Sequence, residues 1–207
     1  MLKINFLYKD LINQNLISSL INNNDKVLDI GCGNGELLYY LEKTKNIQGQ
    51  GIEISHLGVK ESVTKGLSVI QGDADEDLVS FTDNTFDVVI LSDTLQATHK
   101  PKEVLKQMLR IGKKCIICIP NFGYWKYRLQ ILFYGIMPVT KTLSEPWYST
   151  PNIHLCTIKD FINLCNSLNI EINKAYRNTQ NNIKKIEKPN SYLNNLLSTE
   201  GIFILTK

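Results

Sequence analysis

No run of apolar residues in this 207-residue sequence is long enough to cross a bilayer, and its first residues lack the charged and then apolar stretch of an export signal. A membrane-spanning or exported protein is therefore not expected, and the cytoplasm is. Nor is there a dense Lys/Arg block. Lys+Arg 23 against Asp+Glu 20 leaves a formal charge of +3, without the electrostatic footprint of a nucleic-acid or anionic-lipid binder. Cysteines are few and odd in number. The five (Cys32, Cys115, Cys118, Cys156, Cys165) fit no secreted disulfide framework and agree with a reducing compartment. No internal repeat is visible. What is present is ordinary globular usage, 43% hydrophobic and 21% charged, in a chain long enough for one sizeable core and short for two enzyme domains. One domain is expected over 1–207: an N-terminal helix in 1–24, a core in 25–119, an aromatic insertion in 120–156, and a helix with a strand pair in 157–207.

Leu7, Leu11, Ile17 and Ile21 fall close to one helical face, which predicts an amphipathic helix before the turn at 22–25. After it, strands are expected over 26–30, 50–54, 67–71, 86–92 and 115–119. The helices between them carry Leu37, Leu38 and Leu41, then Val59 and Val63, then Val104, Leu105, Met108 and Leu109. Pro101 suits a first helical turn and Gly112 a helix end. Thr157 with Asp160 three positions on reads as a capping box, opening a helix with Phe161, Ile162, Cys165 and Leu168 inward. Strands over 170–176 and 201–206 follow, separated by a polar loop. This alternation builds an α/β, Rossmann-like, mostly parallel sheet through right-handed crossovers, with helices on both faces.

The most informative local pattern is Asp29-Ile30-Gly31-Cys32-Gly33-Asn34-Gly35, where a strand ends in an acid and three alternating glycines lead into a helix. Glycine permits positive φ and lets the backbone approach a ligand closely. A dinucleotide fingerprint would place its third glycine at 36, where Glu36 stands, and a negative residue at the helix mouth opposes a pyrophosphate. S-adenosylmethionine has no phosphate and meets neither objection. Glu53, 18 positions after Gly35, can accept two hydrogen bonds from ribose hydroxyls, and Asp73 can accept one from an adenine amino group. Each acid alone is more often a solvated strand-end residue. Together, Asp29, Glu53, Asp73 and Ser92 occupy the carboxyl ends of four strands, where open α/β sheets bind ligands.

Four segments carry a family resemblance: 27–38, around the glycine turn; Leu95-Gln96-Ala97-Thr98-His99-Lys100-Pro101; Pro120-Asn121-Phe122-Gly123-Tyr124-Trp125; and Trp147-Tyr148-Ser149-Thr150-Pro151-Asn152-Ile153-His154-Leu155-Cys156-Thr157. The sequence resembles the class I S-adenosylmethionine-dependent methyltransferases, and more narrowly the methionine biosynthesis MetW family, over almost its whole length. The resemblance implies a seven-stranded sheet with one antiparallel strand, S-adenosylmethionine as cofactor, a role in methionine biosynthesis, and a homoserine O-acyltransferase, MetX, as partner. It implies cofactor contacts at Asp29, Gly31, Gly33, Glu53 and Asp73, and the neighbouring Cys32, Gly35, Ile54, Ala74 and Ser92 complete the expected cofactor set. No methyl acceptor is generally established for such proteins, so the resemblance does not imply a methylation reaction.

For chemistry, a methyl acceptor would benefit from a base, and His99 and His154 are the candidates; the bland alternative is that each hydrogen-bonds a loop backbone. Asn121 suits an acceptor amide or carboxylate, or a helix cap. Gln96, Tyr124, Trp125, Trp147 and Asn152 join it as candidate substrate or partner residues. The aromatic, basic stretch 122–134 is a substrate lid, a partner surface or core, and its density of aromatics with Arg128 favours a contact patch. Cys115 and Cys118 point to opposite faces of a strand and have no second pair, so no metal site is expected. Three functions follow: a binding or regulatory module, a methyltransferase of a small molecule, and a nicotinamide oxidoreductase, the last disfavoured by Glu36.

Overall fold

The computed structural model describes residues 13–140, 143, 145–179, 182–188 and 191–207. Among the described residues eight strands make one sheet: β1 (Lys26–Ile30), β2 (Gln48–Glu53), β3 (Val69–Gln71), β4 (Phe86–Ser92), β5 (Gly112–Pro120), β6 (Glu171–Thr179), β7 (Asn182–Ile186) and β8 (Glu200–Thr206). Their spatial order is β3-β2-β1-β4-β5-β8-β6-β7. The first five are mutually parallel, as their helical crossovers require, while β8 runs antiparallel between β5 and β6.

Both faces of the sheet are covered. Residues 13–19 are helical (α1), followed by α2 (Glu36–Lys45), α3 (His56–Thr64), α4 (Pro101–Ile111), α5 (Trp125–Tyr134), α6 (Ile158–Ser167) and α7 (Tyr192–Leu197). Alternation along the strands sends Leu28, Val89, Leu91 and Ile117 into one core with Leu105 and Met108 of α4 and Phe161 of α6. Val27, Ile90 and Ile116 enter a second core with Ile17 of α1 and Leu38 and Leu41 of α2. Cys115 lies in the first core and Cys118 in the second, on opposite sheet faces. Ile21 is buried although α1 ends two residues before it, whereas Leu7 and Leu11 lie outside the described residues. The capping box forms, with Thr157 accepting the Asp160 amide at 3.2 Å and Asp160 accepting the Thr157 amide at 3.0 Å.

Three local expectations are corrected. The sheet has eight strands where seven were expected, because part of the expected 177–200 loop folds back as β7, paired from Ala175↔Ile186 to Thr179↔Asn182, and Tyr192–Leu197 forms α7. Ile186 enters the first core and Ile183 packs against the second, so one apolar residue per face suffices and no alternation is visible in the sequence. Two strands, β7 and β8, therefore run against the others, where one was expected. On α3, Val63 faces solvent; the buried residue is Ser62.

Candidate functional site

The strand order reverses between β1 and β4, and the loops after β1, β2, β3 and β4 diverge there into a cleft of about 320 Å³. Gly31, Glu53, Ile54, Asp73 and Ala74 line it, and so do Asp75, Thr94, Thr98 and His99.

The glycine turn is held from three sides. Gly31 and Cys32 donate their amides to the Ile52 carbonyl at 2.8 and 3.3 Å, tying the turn to β2. Ser62 of α3 donates to the Gly33 carbonyl at 3.1 Å, and Lys65 donates to the Asn34 carbonyl at 2.8 Å. The three glycines serve different ends. A Cβ on Gly31 would collide with the Thr94 side chain at 2.5 Å, and one on Gly35 with Leu67 at 2.4 Å, so packing excludes larger residues there. Gly33, at φ +56°, is not among the cleft-lining residues, and apart from its chain neighbours no described atom lies within 4 Å of where its Cβ would stand.

Glu53 is buried at the end of β2 and braces this turn. One carboxylate oxygen accepts the Gly33 amide and the other the Ser55 amide, both at 2.8 Å. Each oxygen keeps a further lone pair. Asp29, buried behind the turn, has its carboxyl pushed up to about 7 by burial and, second, by the charge of Glu53. Cys32 does not line the cleft: it packs in the second core, and burial first, then Asp29 and Glu53, push its thiol up to about 12, which removes it as a nucleophile.

Asp73 accepts the Asp75 amide at 2.8 Å. Asp75 in turn accepts the backbone amides of His99 and Lys100 at 2.7 and 2.6 Å, fastening the loop after β4 to the loop after β3. His99 stands exposed on the cleft wall. Ser92 is half-buried and is not among the lining residues; its carbonyl accepts the Thr94 hydroxyl at 2.9 Å, and Thr94 takes the place on the wall.

Gln96, 3% exposed, is buried within the loop after β4. Its side-chain amide donates to the Asp93 carbonyl at 2.7 Å, and its backbone carbonyl accepts the amides of Ile153 and His154, both at 2.9 Å. One residue thus joins the cleft wall to the 146–155 arm, which returns Pro151 to the cleft. His154 itself is exposed and lines neither the cleft nor the cavity beneath the arm. Trp147 and Asn152 line that second cavity, of about 340 Å³.

Asn121 is fully buried and fully engaged. Its side-chain nitrogen donates to the Asn195 and Ser198 carbonyls, both at 2.7 Å, and its oxygen accepts the Gly123 and Ile158 amides at 3.0 and 3.2 Å. No hydrogen-bonding capacity is left for a ligand. The aromatic stretch divides in two. Tyr124 and Tyr127 pack edge-to-face at 5.2 Å in a small core with Leu143, whereas Trp125, Leu132, Phe133 and Tyr134 face solvent.

Sequence reasoning missed Asp75, Thr94, Thr98 and Pro151. The first three sit on loops already assigned to the carboxyl edge, so a complete reading of those loops would have included them. Pro151 carries no such signal, since it reaches the cleft only through a long-range contact.

Chains of known structure share this architecture. A SAM-dependent methyltransferase from Thermotoga maritima superimposes with a TM-score of 0.71 at 16% identity, covering 99% of this chain and 92% of its own. One from Archaeoglobus fulgidus gives 0.64 at 18%, covering 98% and 99%. The [4+2]-cyclase SpnF gives 0.66 at 15%, covering 94% and 80%; a fold shared with a cyclase does not fix a reaction. In sequence, the bifunctional methionine biosynthesis protein MetXA/MetW of Rhodopirellula baltica is 33% identical over 172 residues, 79% of this chain. This chain spans 28% of that relative's length. The model of methionine biosynthesis protein MetW matches residues 12–205, and with the glycine turn, the braced Glu53 and the doubly wound sheet in place, the chain belongs to the MetW family on a class I methyltransferase fold.

Proposed function

We propose that this chain binds S-adenosylmethionine in the β1–β4 cleft and acts, as a cytoplasmic binding module, on a homoserine O-acyltransferase (MetX) in methionine biosynthesis. The observation that carries the cofactor reading is Glu53, whose carboxylate lies on the cleft wall, braced by two backbone amides and with lone pairs left for a ribose diol. The other residues fit the same ligand. Gly33 leaves open space where a side chain would stand. Among the described lining residues there is no Lys or Arg to meet a diphosphate, while Glu53, Asp73 and Asp75 favour a cationic ligand. When bound, the cofactor would supply a methyl group on a sulfonium; the chain's residues hold and orient it.

Glu53→Ala should weaken S-adenosylmethionine binding by about 1–3 kcal/mol through loss of a charged acceptor, and Gly33→Val should weaken it by straining the φ +56° turn and filling the open space beside it. Calorimetric titration checks both, with the far-UV spectrum verifying the fold. Unchanged affinity in both variants would remove the cleft assignment, and tight binding of a nicotinamide dinucleotide would point to the oxidoreductase reading instead.

The partner reading is supported by the Rhodopirellula baltica relative, whose name joins MetXA and MetW in one polypeptide. It is supported too by the exposed aromatic surface of Trp125 and Phe133 on α5 with Trp147 and Tyr148 on the arm. The Gln96 tie gives a route by which ligand in the cleft biases that surface, provided bound and free forms differ in affinity for the partner. Trp125→Ala and Trp147→Ala should each weaken association with the acyltransferase by about 2 kcal/mol, as interface anchors do. Titration of the labelled acyltransferase measures this.

A methyltransferase of a small-molecule acceptor is the second reading, favoured by one observation: His99 stands on the cleft wall with its backbone fixed by Asp75. His99→Ala, and His154→Ala on the arm, would then abolish methyl transfer while cofactor binding persists.

A further inference from the structure

Beneath the 146–155 arm, the second cavity is walled by Phe122, Met137, Leu143, Ile153 and Leu155, with Trp147 at its side. Its volume of about 340 Å³ is that of a small-ligand pocket. Glu145 is the one charged residue among its described lining residues, and the carboxylate's hydrogen bond from the Ser149 hydroxyl is long, at 3.5 Å. Thr150 and Asn152 add the remaining polar groups. A single strand of chain separates this cavity from the cofactor cleft: Pro151 lines the cleft, while Thr150, Asn152 and Ile153 on either side of it line the cavity. The backbone of that partition is anchored at Gln96, so it is a built wall.

We propose that this cavity is a second ligand site, for a small apolar ammonium compound. The apolar wall selects an alkyl body by removing its surface from water. Two aromatic rings, Phe122 and Trp147, with one carboxylate select a cationic head over a neutral or anionic one. An alkyl carboxylate would meet Glu145 as a like charge with no described basic residue on the wall to offset it.

The test needs neither S-adenosylmethionine nor a partner, so its result is independent of the function proposed above. In Trp125→Phe, Trp147 is the sole tryptophan and reports on the cavity. Butylammonium, hexylammonium, hexanol and hexanoate are titrated, followed by Trp147 fluorescence and by calorimetry. Hexylammonium should bind roughly tenfold tighter than butylammonium, as two further buried methylenes require. It should bind more tightly than hexanol, and hexanoate should not bind. Glu145→Gln should bring hexylammonium down to the hexanol level, and Leu155→Phe, which narrows the cavity without adding a second tryptophan, should weaken binding of every probe while the melting temperature holds. Equal affinity for hexylammonium and hexanoate, no dependence on chain length, or no binding by either readout at millimolar concentration would overturn the proposal.

Discussion

Asn121→Ala should destabilise the protein by about 4 kcal/mol or more and leave the S-adenosylmethionine affinity of the folded fraction unchanged. The side chain is a fully buried bracket, pinning the end of β5 to the start of α6 through the Ile158 amide and to the end of α7 through the Asn195 and Ser198 carbonyls. Truncation orphans four buried backbone groups, each worth about 1–3 kcal/mol when left without a partner. Urea denaturation of wild type and variant, compared at equal m-value, measures the loss. Wild-type stability together with altered ligand affinity would return Asn121 to a substrate-binding role.

Asp29→Asn should remove a large pH-dependent contribution to stability between pH 4 and 7. The Asp29 carboxyl is raised from 3.8 to about 7 by burial and then by Glu53. Below about pH 4 both native and unfolded chains hold the proton, and the site contributes no penalty. Between pH 4 and 7 the unfolded chain has released it and the native chain has not, so stability falls as pH rises. Above pH 7 both states are ionised and the penalty is complete, of order 4 kcal/mol at about 1.4 kcal/mol for each unit of difference. An amide at 29 does not titrate. The stability difference between Asp29→Asn and wild type should therefore grow in the variant's favour from pH 4 to pH 7 and then level off. A difference that is flat with pH would show that Asp29 ionises in the native protein as it does in the unfolded chain.

The parts of the fold legible in the sequence were those set by local periodicity. The β1–α2–β2 unit, the amphipathic stripe of α4 and the Thr157–Asp160 cap each state their structure within a dozen residues. The cleft was legible as an edge, because strand ends in an open α/β sheet face one way, and Gly31, Glu53, Ile54, Asp73 and Ala74 meet there. Reasons that depend on distant partners were not legible. Gly31 and Gly35 answer to Thr94 and Leu67, far along the chain, and the sequence alone assigns both to the ligand. The Asn121 side chain grips the backbone carbonyl of Asn195, 74 positions on, and an Asn-rich stretch hides both α7 and the edge strand β7. Gly112 reads as a helix end and is the C-cap of α4, but its reason is distant: at φ −111° it leads straight into β5, and a Cβ there would strike Val89 at 2.6 Å.

The measurement that tests the functional account most directly is the activity of the homoserine O-acyltransferase with and without this chain, across a range of S-adenosylmethionine concentrations. The chain is expected to change acyltransferase activity, and the change to follow occupancy of the cleft: it is lost in Trp147→Ala and Glu53→Ala and kept in His99→Ala and His154→Ala. An acyltransferase whose activity is the same with and without the wild-type chain, at every S-adenosylmethionine concentration, would contradict that expectation.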